Sequence, residues 1–189
     1  MRTGLQILGN RSRKPTFEEK ITMSAARTQI LTHEQVKQIV KRMAYQIYER
    51  NFNAKELCIA GICGRGETIA ALLAEELAAI SGIKITAITV TVNKDNPSES
   101  STQLSAVLKK SGMHAVIVDD VLNTGRTLIY ALLPFLKSGV ASIQTAILVD
   151  RNHKTFPVAA DFIGISLSTT LQEHIAVTID KKKVNVFLQ

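Results

Sequence analysis

Val116-Ile-Val-Asp-Asp-Val-Leu-Asn-Thr-Gly-Arg-Thr-Leu128 runs from a short apolar stretch through two adjacent carboxylates into a turn of small residues and on into a helix. Ala115 to Val118 carries no polar residue, which predicts a short strand buried on both faces of a parallel sheet. Such a strand delivers the turn to the carboxyl edge of the sheet, where open α/β folds bind ligands. In the turn, Gly125 lets the backbone approach a ligand closely, Thr124 and Thr127 bring hydroxyls, and the first amides of the helix lack acceptors within it. Together these groups make a cradle suited to a phosphate monoester. Asp119 and Asp120 are costly at an apolar strand end unless donors or a cation face them, and vicinal ribose hydroxyls are such donors. The string differs from a Walker A loop, because no Gly-x-x-x-x-Gly-Lys precedes the hydroxyls, and it lacks the three-glycine dinucleotide fingerprint.

Working outward, Thr32-His-Glu-Gln35 has capping-box spacing, and Val36, Ile39, Val40, Met43, Ala44 and Ile47 recur at helical intervals, predicting a helix over 33–50. Leu57 to Ile62 reads as a second buried strand, broken by Gly64-Arg-Gly66. An Ala/Leu-rich helix over 67–81 is expected to stop at Gly82 in the C′ position, and the β-branched run 83–92 reads as a strand. Polar residues 93–103 read as a loop, residues 127–137 as a helix kinked at Pro134 and stopped at Gly139, and 142–149 as a strand. The alternation indicates an α/β class, a mainly parallel twisted sheet flanked by helices.

Beyond Asp150 the pieces shorten: Asp161 to Gly164, then Ile175 to Ile179 and Val184 to Leu188, the last two reading as a hairpin about Asp180-Lys-Lys-Lys183. Elements of 150–189 are expected to form a small hood over the sheet. Residues 1–31, with the basic cluster Arg11, Arg13 and Lys14 and no periodicity, read as an N-terminal extension, and 32–189 as one domain.

Composition narrows the partners. A formal charge of +7 attracts polyanions, pyrophosphate and RNA alike. Cys58 and Cys63 are too few and wrongly spaced for a zinc site and read as small hydrophobes of a reduced protein. His33, His114, His153 and His174 have no mutual spacing that demands a metal. No apolar run approaches the roughly 20 residues of a membrane span, and the N-terminus lacks a signal-like apolar stretch, so a cytoplasmic protein without membrane contact is expected.

The string 116–128 resembles the signature with which type I phosphoribosyltransferases bind 5-phosphoribosyl-1-pyrophosphate. By that resemblance Asp119 and Asp120 hold the ribose 2′ and 3′ hydroxyls, and Asn123, Thr124, Gly125, Arg126 and Thr127 hold the 5′-phosphate. The family fold is a parallel sheet with flanking helices and a hood, Rossmann-like in outline. Further segments are similar to the bacterial pyrimidine operon attenuators that are also uracil phosphoribosyltransferases: Glu49-Arg-Asn51, Gly61-Ile62 with Arg65-Gly66, Val118 to Leu122, Val149-Asp-Arg151 with His153, and Ala160 to Gly164. The match covers most of residues 30–189.

That branch implies Mg²⁺-dependent transfer of phosphoribosyl to uracil, giving UMP and pyrophosphate. Arg65 and Gly66 would belong to the pyrophosphate loop, and Mg²⁺ would be held mainly by substrate oxygens, with Asp119 or Asp120 as the candidate side chains. Lys94 stands where the branch opens its catalytic loop with an aromatic, Arg, Asp, Asp string, so loop 93–110 keeps a cation but loses the bidentate fork. Phe162, the backbone of Ile163 and Arg151 would meet the base, although Phe162 reads equally as core and Arg151 equally as surface. Purine-salvage relatives carry an Asp at position 123 and the attenuators commonly a Tyr; Asn123 is neither. The absence of a carboxylate weighs against the purine mechanism, and a purine base remains a rival acceptor. The resemblance also implies a homodimer or higher homo-oligomer and, as a rival function, RNA attenuation through a basic face including Lys41 and Arg42.

Overall fold

The computed structural model of the chain describes residues 27–93, 102–108, 113–170 and 172–189. Strand β1 (Thr28–Leu31) leads into helix α1 (His33–Arg50), and both halves of the capping box form: the Gln35 amide donates to the Thr32 hydroxyl and the Thr32 amide to the Gln35 side chain. Strand β2 (Glu56–Ile62), helix α2 (Arg65–Ile80), strand β3 (Lys84–Thr91) and the short β4 (Gln103–Leu104) follow. Next come β5 (His114–Leu122), α3 (Arg126–Ser138), β6 (Ser142–Asp150), β7 (Phe162–Ser166), β8 (Ile175–Asp180) and β9 (Lys183–Leu188).

The main sheet has six strands in the order β4-β3-β2-β5-β6-β7, parallel except for the antiparallel edge strand β4. β2 alternates between two cores. Leu57 and Ile59 face α1 and α2, while Cys58, Ala60 and Ile62 face α3 with Phe135 and Leu128. Burial on both faces is what requires the unbroken apolar run. Chain order reverses between β2 and β5, which pair directly while β3 lies on the far side of β2. The carboxyl ends of those two strands therefore bound the crevice where such sheets take ligands.

A second sheet, β1-β9-β8, is antiparallel and contributes Leu31, Val177, Val184 and Val186 to the core shared with α1. This is the hood, and the expected hairpin forms from β8 and β9, with β9 the central strand and Lys181 and Lys182 left-handed in the turn at φ 44° and 72°. Two expectations shift. Thr28 to Leu31, assigned from sequence to the extension 1–31, pairs with β9 as part of the hood. Four residues are too few to show a period, and their partner lies at the far end of the chain. Residues 1–26 lie outside the described residues. Phe162 to Ser166, expected in the hood, is instead the edge strand of the main sheet, pairing with β6.

Boundaries move for local reasons. β5 runs on through Asp119 and Asp120 to Leu122, because β6 continues alongside it to Asp150. Helix α2 ends one residue before Ser81, whose amide and hydroxyl both donate to the Leu77 carbonyl, so Gly82 is not the left-handed cap. Gly139 is that cap for α3, at φ 72°. α3 continues through Pro134. The ring removes the N–H that Tyr130 O would accept, and the Thr102 hydroxyl donates to that carbonyl at 3.1 Å instead.

Candidate active site

Two loops meet at the switch point. The first follows β2. Gly64 sits at φ 101°, ψ −123°, a backbone that side-chain-bearing residues avoid, and α2 starts at the next residue. Glu67 locks this turn: its carboxylate accepts the Gly64 amide at 2.9 Å and the Thr89 hydroxyl at 2.8 Å. The Gly64 amide, then the Thr89 hydroxyl, hold the Glu67 carboxyl below the ordinary carboxylate range. With the Gly64 amide engaged, the amides of Arg65 and Gly66 are the ones a helix N-terminus offers to an anion.

Gly66 is required by proximity. A β-carbon there would lie 2.9 Å from the Val118 carbonyl and 3.0 Å from Asp119 Oδ1. Gly61 likewise leaves room for the Glu67 backbone and Ala70. Small residues thus press the start of α2 onto the end of β5 and bring the pyrophosphate-loop candidate against the acidic pair. Arg65 Nη1 reaches 3.8 Å from Asp120 Oδ2, an exposed cation over a largely buried carboxylate.

The second loop follows β5. Asp119 and Asp120 are both buried, and the Asp120 amide donates to Asp119 Oδ1 at 3.0 Å. Asn123, Thr124 and Gly125 turn the chain into α3, with Gly125 left-handed at φ 83°. The Thr124 hydroxyl accepts the Arg126 amide at 3.3 Å. Asp119, Asn123, Thr124, Gly125 and Thr127 line a cavity of about 60 Å³, small enough for an anion the size of phosphate. The structure gives Gly125 a reason of its own, beside the expected close approach of a ligand. A β-carbon would strike Cγ1 of Val158, with Phe156 Cβ at 3.6 Å. The glycine makes room for protein.

That neighbouring wall is the loop after β6, where the sequence singles out Arg151 and His153 but not Thr155, Phe156 or Val158. Its Thr155 and Phe156 amides donate to the Thr124 carbonyl at 3.0 and 3.1 Å, and the Arg151 amide donates to the Leu122 carbonyl at 3.0 Å. Asp150, 2% exposed, accepts Lys154 at 2.7 Å and the Asn152 amide at 2.8 Å, holding Asn152 left-handed. Glu67 could have been suspected, since it stands at the capping distance from Gly64.

The structure brings Asp119, Asp120, Arg65, Gly66 and residues 123–127 to one edge of the sheet. It does not bring Phe162 there. Phe162 begins β7, pairs with Ala146 and is 5% exposed in the core beneath α1, its ring facing Arg50. Of its two readings, core is the one observed. The Ile163 and Gly164 carbonyls accept the Arg42 guanidinium. Arg151 is neither surface nor free to reach a base: it is 4% exposed, with Nε donating to the Thr169 hydroxyl, Nη1 to Asn123 and Nη2 to the Thr170 and Glu173 carbonyls. Lys94 lies outside the described residues. Among the described residues no group of three or more His, Cys, Asp or Glu side chains is placed to hold a metal ion.

Comparison with known proteins gives the family and the fold. The family model of the phosphoribosyl transferase domain matches residues 26–182. The bifunctional protein PyrR of Deinococcus deserti is 35% identical over 167 residues, 83% of this chain and 90% of its own length. That of Citrifermentans bemidjiense is 35% identical over 175 residues, 87% of this chain and 99% of its own. Among solved structures, a hypoxanthine phosphoribosyl transferase of Trypanosoma cruzi is similar with a TM-score of 0.69 at 18% identity, covering 86% of this chain and 91% of that one. A hypoxanthine-guanine phosphoribosyltransferase of Bacillus anthracis gives 0.60 at 16%, covering 74% and 82%. At such identity the structural likeness speaks for the fold alone, whereas the family model and the sequence relatives reach further: the chain belongs to the type I phosphoribosyltransferase family, in its PyrR-like branch.

Proposed function

We propose that the protein is a cytoplasmic, Mg²⁺-dependent enzyme that transfers phosphoribosyl from 5-phosphoribosyl-1-pyrophosphate to uracil, giving UMP and pyrophosphate. The observation that carries the reading is the meeting of two anion-directed loops over one acidic pair, with Arg65 Nη1 3.8 Å from Asp120. A sugar bearing phosphates at both ends needs two such loops, with acceptors for its hydroxyls between them. The turn 123–127 takes the 5′-phosphate, Asp119 and Asp120 the 2′ and 3′ hydroxyls, and the amides of Arg65 and Gly66 the pyrophosphate.

Charge develops on the ribose ring and on the leaving pyrophosphate as the bond at C1 breaks. Arg65 and the α2 amides stabilise the leaving group, and the buried carboxylates stabilise the positive ring, so this chain needs no nucleophile of its own. The donor set, two adjacent carboxylates beside two phosphate cradles, fits a hard cation that arrives with its substrate. When bound, Mg²⁺ would neutralise pyrophosphate oxygens, with Asp119 or Asp120 as its side-chain partners. Lys94 is proposed as a further cation for the pyrophosphate.

Uracil is favoured over a purine because position 123 lacks a carboxylate and Asn123 is tied to Arg151. RNA attenuation is not favoured. Arg42, one of the two cations expected on the RNA face, spends its guanidinium on the Ile163 and Gly164 carbonyls. The test is pyrophosphate release from 5-phosphoribosyl-1-pyrophosphate and Mg²⁺ with uracil, hypoxanthine, guanine, xanthine or orotate. Uracil alone should release it; release with another base reassigns the acceptor, and release with none removes the enzymatic reading.

A further inference from the structure

Gly64 is the point of the loop after β2 that packing leaves free. It sits at φ 101°, ψ −123°, and beyond its chain neighbours no atom lies within 4 Å of the place a β-carbon would take. A glycine without contacts visits both signs of φ, so sterics alone do not hold this conformation. Its flanks are fixed. The Cys63 amide donates to the Val90 carbonyl at 2.9 Å, and Gly66 is pressed against the end of β5. Between them, ψ of Gly64 turns the peptide plane that carries the Arg65 amide, and so sets where that amide points.

Glu67 supplies what packing does not. Its Oε2 accepts the Gly64 amide at 2.9 Å and its Oε1 the Thr89 hydroxyl at 2.8 Å. Thr89 is itself anchored in β3: its amide donates to the Ser105 hydroxyl at 2.8 Å, and its carbonyl accepts the Ser105 amide at 3.0 Å. A capping glutamate ordinarily reaches back to the amide at the helix start and no further. The second bond, to a neighbouring strand, turns a cap into a strut. The same two donors hold the carboxyl below its ordinary range and keep it an acceptor at neutral pH.

We infer that Glu67 is a positioning residue of the pyrophosphate loop: by bridging the Gly64 amide and the Thr89 hydroxyl, it holds Gly64 in the backbone conformation that aims the Arg65 and Gly66 amides at the leaving pyrophosphate. The inference rests on the reading of that loop as the pyrophosphate site. In this role Glu67 touches no substrate.

The experiment is calorimetric titration of the full chain, in Mg²⁺, with inorganic pyrophosphate and with ribose 5-phosphate. The first addresses the Arg65–Gly66 loop; the second addresses the turn after β5 and the acidic pair. Glu67→Ala should weaken pyrophosphate about tenfold, the scale of one hydrogen bond to a charged group, and leave ribose 5-phosphate within about twofold. Glu67→Gln keeps an oxygen for the Gly64 amide and offers an N–H to the Thr89 hydroxyl, so it should bind pyrophosphate within about threefold of the wild type. Thr89→Val removes the far anchor alone and should fall between the wild type and Glu67→Ala. The Glu67→Ala, Thr89→Val double variant should be no weaker than Glu67→Ala, because both act through one carboxylate. Pyrophosphate binding unchanged or tightened in Glu67→Ala, equal losses for both ligands, a Glu67→Gln loss as large as that of Glu67→Ala, or additive losses in the double variant would overturn the inference. A wild type that does not bind pyrophosphate would instead remove the reading of the loop on which it stands.

Discussion

A β-carbon on Gly125 would run into Cγ1 of Val158, so the turn after β5 and the loop after β6 close on each other with no space for a side chain. Gly125→Ala therefore carries two separable penalties. The left-handed backbone costs about 1–2 kcal/mol for a residue with a β-carbon, and the contact with Val158 adds to it. Val158→Ala removes the colliding carbon. The double variant should recover the second part of the loss and not the first, as read by urea unfolding of the four proteins. If Val158→Ala restores nothing, the wall is not what excludes a side chain.

Replacing Asp119 and Asp120 together by Asn keeps the volume and removes two anionic acceptors from the carboxyl edge of β5. The double variant should stay folded and lose a factor of about 10² to 10³ in turnover, the effect of deleting a preorganised electrostatic partner. Steady-state rates beside a thermal melt check both halves. Normal turnover in the folded variant would mean that the sugar does not lie over these acids.

Acid should loosen the loop after β2. The Glu67 carboxyl is depressed in the folded chain, first by the Gly64 amide and then by the Thr89 hydroxyl. A depressed carboxyl contributes stability that is complete above its unfolded value, near 4.5, and is lost as pH falls from there through the folded value. Glu67→Gln removes the titration, so its melting temperature should fall less than that of the wild type as pH is lowered from 5. Parallel acid limbs would show that Glu67 does not bear on folding.

The bond from Thr102 to the Tyr130 carbonyl compensates for the N–H missing at Pro134. Thr102→Val should cost about 1 kcal/mol, the usual worth of a hydrogen bond whose loss leaves an acceptor unmet. In a Pro134→Ala background the helix supplies its own donor to Tyr130, and the same change should become nearly neutral. Denaturant midpoints of the four-protein cycle give the coupling, and a cost unchanged by Pro134→Ala would sever the link.

Local signals were enough wherever the cause is local. The capping box at Thr32 and Gln35, the unbroken apolar run of β2, and the ordered string from Asp119 to Thr127 each depend on neighbours within a few residues, so the α/β layout and the sheet edge bearing the site could be read directly. What no window of sequence contains is a partner from far along the chain. β1 is a strand because β9 pairs with it across the hood, and Phe162 is core because β7 adds to β6 and slides under α1. Arg151 had the composition of a ligand-binding residue. Only Thr169, Thr170, Glu173 and Asn123, far from it in sequence, surround it with acceptors, and that burial takes its charge away from the surface. Hydrogen-bonding capacity is written in the residue type, but which atoms spend it is settled by the strands and loops that tertiary packing sets beside them.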